Sequence, residues 1–377
     1  MVELILISLF LILLIYYSLF LLKIYFGLNN LSYESEKIPD EFISVIVPFR
    51  NEEKNIKSTF INLSNQDYPA NKYEIIFIND FSEDKSLDLL KSFTAKDNVK
   101  ILSVPDDYSV NAYKKRAIRF GIEHSKGDII VTTDADCIHQ TDWLKNLLKY
   151  FDNQTGFVSG PVEFLPEKKL FGKIQRLEFS SLVITGAGLI CAKIPTICNA
   201  ANIAYRKSLF HKVGGFNHQL DLSSGDDELL MQKINKITEY KIKFAPDLKT
   251  IVFTNANATL KEFYLQRKRW ASKGLFYNDK TLVYKLIFIY LFYLGLILQP
   301  ILSFLFSHLL IISFLFSVLI KILIEFLILK KGQRILSDKK IINVFLITEL
   351  FQVPYILIAG ISGVFGNFNW KGRSIKR

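Results

Sequence analysis

Carboxylates recur at the ends of apolar runs between residues 40 and 255. Asp134 and Asp136 follow Ile129-Ile130-Val131-Thr132 with one residue between them. At a strand end both can turn toward a hard divalent cation, and Mg²⁺ or Mn²⁺ takes oxygen ligands and phosphate alike. A lone Asp-x-Asp serves equally as a solvated turn. Asp80 ends another run within Asn79-Asp80-Phe81-Ser82. Its carboxylate can accept the imide N–H of a uracil or the amino group of a guanine, or it can cap a helix at Ser82. Asp226 and Asp227 open the helical stretch Glu228-Leu229-Leu230-Met231. The helix dipole there stabilises an ionised carboxylate, whether as a cap or as a general base. Gln266-Arg267-Lys268-Arg269-Trp270 lies on a basic amphipathic segment ahead of an apolar tract, a mixture suited to the headgroup layer of a bilayer.

To act together these groups need strands that end side by side. Ile43 to Val47 reads as a buried strand stopped by Pro48, and Glu52 to Leu63 as a helix. Tyr73–Ile78, Val99–Val104 and Asp128–Thr132 read as further strands, alternating with helices over Ser82–Phe93 and Tyr113–His124. This rhythm predicts an α/β fold: a doubly wound, mainly parallel sheet with helices on both faces. Ligands of such sheets bind beyond the carboxyl ends of the strands, where Asp80, Asp134 and Asp136 stand.

The ends of the 377-residue chain are apolar. Leu4–Leu22 is one uninterrupted run without a basic leader or a small-residue cleavage site, so it reads as a retained anchor. Leu286–Leu329 is long enough for two spans and Ile341–Gly363 for another, each meeting the roughly 20 residues a bilayer requires. The net charge of +11 falls largely beside these tracts, where cations orient a chain and meet anionic lipid. No zinc-finger spacing or recognition helix accompanies it, which argues against nucleic acid. Three cysteines and five histidines show no metal or redox spacing and read as structural.

Taken in order, Val47-Pro48-Phe49-Arg50-Asn51-Glu52, Asn79-Asp80-x-Ser82, Asp134-x-Asp136, Asp226-Asp227 and Gln266-x-x-Arg269-Trp270 closely resemble the family 2 glycosyltransferases. Within that family the chain is similar to the membrane branch of cellulose, hyaluronan and poly-N-acetylglucosamine synthases and ceramide glucosyltransferases, over about residues 42–275. The resemblance implies a GT-A-type fold with transmembrane helices at both ends. It assigns Glu52, Asp80, Lys114 or Lys115, Asp134, Gln266, Arg269 and Trp270 to a nucleotide-sugar donor, UDP-linked by preference. Asp134 and Asp136 would hold Mg²⁺ or Mn²⁺. Asp227, beside Asp226, matches the general base of a direct, inverting displacement. Asn199-Ala200-Ala201-Asn202 resembles the family's Asn-Gly-Ala-Asn segment, placing Asn199, Asn202 and Trp270 on the acceptor side; Ala200 stands where the family has glycine.

These readings divide the chain into an anchor (1–28), a linker (29–41), a catalytic domain (42–258), an interfacial helix (259–280), a membrane region (281–366) and a basic tail (367–377). The expected acceptor is a lipid or a membrane-presented glycan, with the catalytic domain on the cytoplasmic face of the plasma membrane. Lys23 and Lys37 follow the first run, in agreement with the positive-inside rule. Three C-terminal crossings would export the tail. Glu349, Gln352 and Pro354 suggest instead a bent or re-entrant last segment. A short-chain polysaccharide synthase subunit and a non-catalytic nucleotide-sugar-binding protein are the alternatives.

Overall fold

A computed structural model describes residues 2–31, 38–93, 96–108, 113–217, 225–272, 274, 277, 279–365, 368–370 and 373–375. Lys37 lies outside the described residues. Helix α1 (Val2–Gly27) precedes β1 (Ile43–Phe49), α2 (Ile56–Ser64), β2 (Tyr73–Asn79), α3 (Ser86–Ser92), β3 (Val99–Ser103), α4 (Tyr113–Glu123), β4 (Ile129–Thr132), β5 (Ile138–His139), α5 (Trp143–Leu148), β6 (Thr155–Ser159) and β7 (Val162–Phe164). Next come α6 (Leu170–Cys191), β8 (Ile203–Arg206), α7 (Lys207–Lys212), α8 (Glu228–Ile237), β9 (Lys241–Phe244), β10 (Val252–Thr254) and α9 (Leu260–Ala271). Three long helices, α10 (Lys280–Leu305), α11 (Leu309–Gly332) and α12 (Phe345–Phe365), lead to the strand pair β11 (Phe368–Trp370) and β12 (Arg373–Ile375).

The main sheet has the order β3-β2-β1-β4-β8-β6-β9, and only β8 runs against its neighbours. Every residue of β1 and β2 is buried, as strands covered on both faces by helices require. Strand β1 continues through Pro48, which lies opposite Ile78, rather than stopping before it. Its neighbour β4 has left by then, pairing only as far as Ile46, so the missing proline N–H interrupts no ladder on that side. The registers Phe49 with Asn79 and Ile46 with Thr132 bring the carboxyl ends of β1, β2 and β4 to one edge.

Helix α6 is long and apolar enough to cross a bilayer, yet it lies across the end of the helical bundle. A Cβ on Gly188 would fall 2.6 Å from Ile24 Cγ2 and 2.7 Å from the Ile24 carbonyl oxygen, while Ile184 packs on Gly332 at the end of α11. Arg176 donates to Asp338 beyond α11 (2.9 Å) and to Glu163 of β7 (3.1 Å). The helix thus buttresses sheet against bundle. Its buried residues include Gln175, Arg176 and Glu178 as well as apolar side chains, so its polar members are covered along with its apolar ones.

Among the long helices, α1 and α11 end together, with Lys331 Nζ on the Tyr25 carbonyl (2.8 Å). At the opposite end, Ser307 between α10 and α11 donates to Glu3 (2.8 Å). Helix α12 behaves differently. It stays continuous through Pro354, so no break marks a re-entrant turn. It runs beside α9: the Phe263 and Tyr355 rings are 5.6 Å apart, and a Cβ on Gly363 would lie 2.7 Å from Ala271 Cβ. Inside the bundle Lys321 of α11 meets Glu325 (3.1 Å), Gln352 (2.5 Å) and Glu349. Strand β11 also runs beside α9. The last long helix therefore begins and ends on the side of the bundle that carries the sheet.

Candidate active site

One cavity of about 790 Å³ opens at the carboxyl edge of the sheet. Glu52, Asp80, Lys114, Asp134, Asp136, Asn199, Asp226, Asp227, Gln266, Arg269 and Trp270 all reach its wall. Residues brought together from β1, β2, β4, α4, α8 and α9 thus share one volume. Two do not reach it. Lys115 is wholly buried elsewhere on α4. Asn202 is also fully buried: its amide donates to the carbonyls of Pro161 (2.7 Å) and Thr250 (2.8 Å) and accepts from Trp143 Nε1 (3.0 Å). With its amide so committed, Asn202 pins the 199–202 turn and leaves Asn199 at the wall.

Around Asp80 the backbone is held in an uncommon conformation. Phe81 and Asn51, each just past a strand end, have φ of +60° and +53°, which is costly for a bulky residue. Arg50 donates to the Asp80 and Phe81 carbonyls and to Glu83 (2.6 Å), bracing that turn. Arg116 ion-pairs with Asp80 while its guanidinium lies 4.7 Å over the Phe81 ring. Neither Arg50 nor Arg116 was singled out from the sequence; Arg116 follows Lys114 by two residues on a basic helix, the one available signal. Glu52 is set by Ser86 Oγ, which accepts its N–H (2.6 Å), and by Asn55 Nδ2, which donates to its carboxylate (2.8 Å).

Opposite Asp80 the carboxylates converge on a cation. Lys114 Nζ lies 2.5 Å from Asp134 and 3.6 Å from Asp226. Burial works against its charge, but Asp134, Asp226 and Asp227 outweigh it and raise its pKa. Burial likewise pulls the Arg269 pKa down, against Asp226, Asp134 and Asp227. Asp136 accepts from Cys137 Sγ (3.8 Å) and Thr254 Oγ1 (3.5 Å), and burial followed by Asp136 and Asp134 pushes the Cys137 thiol up. Asp134 and Asp136 offer only carboxylate oxygens, the donor set that suits Mg²⁺ or Mn²⁺. No group of three His, Cys, Asp or Glu poised to hold a metal occurs among the described residues. A bound cation would therefore complete its shell with phosphate or water.

Asp227 caps α8 and faces the 199–202 turn. Its Oδ1 accepts from the Glu228 N–H (2.7 Å) and its Oδ2 from the Ala200 N–H (2.9 Å). Ala200 has no positive φ, so the turn needs no glycine there. On α9, Arg267 points away from the cavity into a buried ion pair with Glu178 of α6 and lies 4.3 Å over Trp270. It also donates to Gln266 (2.5 Å), which accepts from Asn257 as well (2.9 Å). Trp270 stacks on Phe179 at 5.8 Å. Tyr277, also unforeseen, lines the cavity and donates to Glu228 (2.7 Å).

Residues 44–214 match the model of Glycosyl transferase family 2. This chain carries a family 2 glycosyltransferase domain. It is 25% identical over 250 residues to the poly-β-1,6-N-acetyl-D-glucosamine synthase of Staphylococcus epidermidis, covering 65% of this chain and 58% of that one. It is 26% identical over 244 residues to the dolichyl N-acetyl-α-D-glucosaminyl phosphate 3-β-D-2,3-diacetamido-2,3-dideoxy-β-D-glucuronosyltransferase of Methanococcus voltae, covering 62% and 73%. The chain spans little more than half the length of the first curated relatives it matches. In fold it is similar to the mannosyltransferase PcManGT from Pyrobaculum calidifontis, with a TM-score of 0.58 at 19% identity over 96% of this chain and 99% of that one. The family 2 domain is thus built on a GT-A-like, mostly parallel sheet, with apolar helices before and after it.

Proposed function

We propose that the protein is an inverting glycosyltransferase that moves a sugar from a nucleotide-sugar, UDP-linked by preference, to a lipid acceptor at the bilayer surface. The observation that carries this reading is that one cavity gathers these groups: its polar floor holds Asp80, Asp134, Asp136, Asp227 and Arg269, and its walls continue between the long apolar helices. Asp80 receives the base, sharing it with Arg116. Asp134 and Asp136 would hold Mg²⁺ or Mn²⁺, which when bound would neutralise charge on the leaving group. Arg269, which feels Asp226, Asp134 and Asp227, adds a fixed positive charge to the same cavity. Asp227 takes the proton from the acceptor hydroxyl as its oxygen bonds to the anomeric carbon. The bond from that carbon to the phosphate oxygen breaks, and the nucleoside diphosphate leaves with the electron pair. One base and one displacement give inversion.

The S. epidermidis and M. voltae relatives carry names that point respectively to a polysaccharide and a dolichyl phosphate-linked sugar; the apolar cavity wall favours the lipid. The catalytic unit faces the cytoplasm at the plasma membrane. The tail stays on the same side, a reading supported by the course of α12 along α9. The test is a screen of UDP- and GDP-sugars for nucleotide release by membranes with and without Mn²⁺. Release that depends on Mn²⁺ and on Asp227 is expected; equal release from membranes bearing Asp227→Asn would refute the reading.

A further inference from the structure

Beyond the polar floor, the cavity runs on as an apolar arm. Leu286 and Ile289 of α10, Gly186 of α6, and Gly360 and Val364 of α12 continue the wall that begins at Asp227. Ile287 and Ile361 line it too, yet they are 38% and 56% exposed, more than an enclosed wall allows. The arm is therefore open sideways between α10 and α12. The two helices close again at Tyr290, whose hydroxyl donates to the Leu357 carbonyl (3.2 Å) and whose ring a Cβ on Gly360 would approach to 2.6 Å. At the inner end of the arm stands Lys285, half-buried on the cavity wall and in no ion pair among the described residues. A cation beside an apolar channel, one side of which is open to the bilayer, has the chemistry to receive an anionic headgroup whose chain lies in the channel.

We propose that this arm is a lipid-binding site, taking the hydrocarbon chain of an amphipathic phosphate through the gap between α10 and α12, with Lys285 pairing the phosphate. The proposal rests on the transferase reading for its purpose, since a chain seated here brings its head to Asp227. A long saturated or isoprenoid chain fits the same lining, so the shared chemistry is a long-chain alkyl phosphate.

The test uses the full chain in phosphatidylcholine vesicles with a hexadecyl phosphate that carries a diazirine in mid-chain. It needs neither donor nor catalysis, so its failure leaves the transferase reading standing, and loss of transfer with intact labelling sinks that reading alone. After irradiation and digestion, α10 and α12 arm residues such as Leu286 and Ile289 are expected to be labelled about tenfold more than Leu315 and Leu319 on the exposed face of α11. Lys285→Gln is expected to reduce arm labelling about fivefold for the phosphate but not for the matching diazirine alcohol. Equal labelling of the arm and the α11 face would overturn the proposal. So would a Lys285→Gln variant that labels like wild type with the phosphate.

Discussion

Replacing Asp227 by Asn tests base and scaffold at once, and the geometry separates the two. Both carboxylate oxygens accept backbone N–H groups, from Glu228 at 2.7 Å and Ala200 at 2.9 Å. An amide offers one acceptor and one NH₂, so one buried donor loses its partner in either orientation, costing about 1–3 kcal/mol. The amide also lacks a site basic enough for the acceptor's proton, and loss of a general base lowers kcat by ~10²–10⁴. Ala200→Pro isolates the structural share. It deletes the same N–H···O bond but keeps the carboxylate, and Ala200 opens a 3₁₀ turn after Asn199 at φ −129°, ψ 123°, a conformation that tolerates a following proline. Initial rates over donor concentration and thermal midpoints in detergent decide the matter. Asp227→Asn should keep its donor KM within about threefold while kcat falls at least ~100-fold. Ala200→Pro should lose a similar midpoint but less than about tenfold in kcat. If Ala200→Pro loses as much rate, Asp227 merely holds the turn. If Asp227→Asn turns over normally, the base lies elsewhere and Asp226 is next.

Three further outcomes follow from the structure. Asp134→Asn or Asp136→Asn should raise donor KM and shift the Mn²⁺ requirement to higher concentration, since each replaces a charged carboxylate ligand by a neutral amide; an unchanged Mn²⁺ titration would discard the site. His139 is buried with its pKa lowered by burial to about 3, and it bonds Thr133 Oγ1 at 2.7 Å. Only the unfolded chain gains its proton as pH falls below about 6.5, so stability should be flat above that and drop by about 2 kcal/mol by about pH 5. His139→Gln should remove that part of the slope of midpoint against pH, and an unaltered slope would count against the burial argument. Gly188→Ala should destabilise by about 1–3 kcal/mol. The Ile24 carbonyl would lie 2.7 Å from the new Cβ, outweighing the roughly 0.5–1 kcal/mol an alanine adds within a helix. A rise in midpoint would mean that α1 and α6 are not in contact.

Much of the sheet was legible because β1, β2 and β4 are buried on both faces and read as predominantly apolar runs, broken only by residues such as Ser44 and Glu74, between turn residues. The polar residues at their ends could then be assigned to one edge by topology alone. Pro48 misled because a proline stops a strand only where its N–H is needed, and that depends on how far β4 extends. Helix α6 went unrecognised: Lys173, Arg176 and Glu178 interrupt its apolar residues, which follow no single periodic face, and its partners, α1 and α11, lie roughly 150 residues away on either side. Asn202 could not be told from Asn199 because four adjacent residues in a turn point in directions that only the tertiary contacts of Trp143, Pro161 and Thr250 decide. Arg116 and Arg267 were hidden for a similar reason: a cation's value depends on the carboxylate it meets, Asp80 for one and Glu178 for the other.

The most direct measurement of the central claim is the fate of the sugar. Membranes containing the full chain are incubated with UDP-sugars labelled in the hexose, extracted with organic solvent, and the labelled product is sized. The account requires label in the organic phase, on a lipid carrying one or a few sugars, and none when Asp227→Asn replaces the wild type. A water-soluble product many sugars long, without a lipid end, would contradict it.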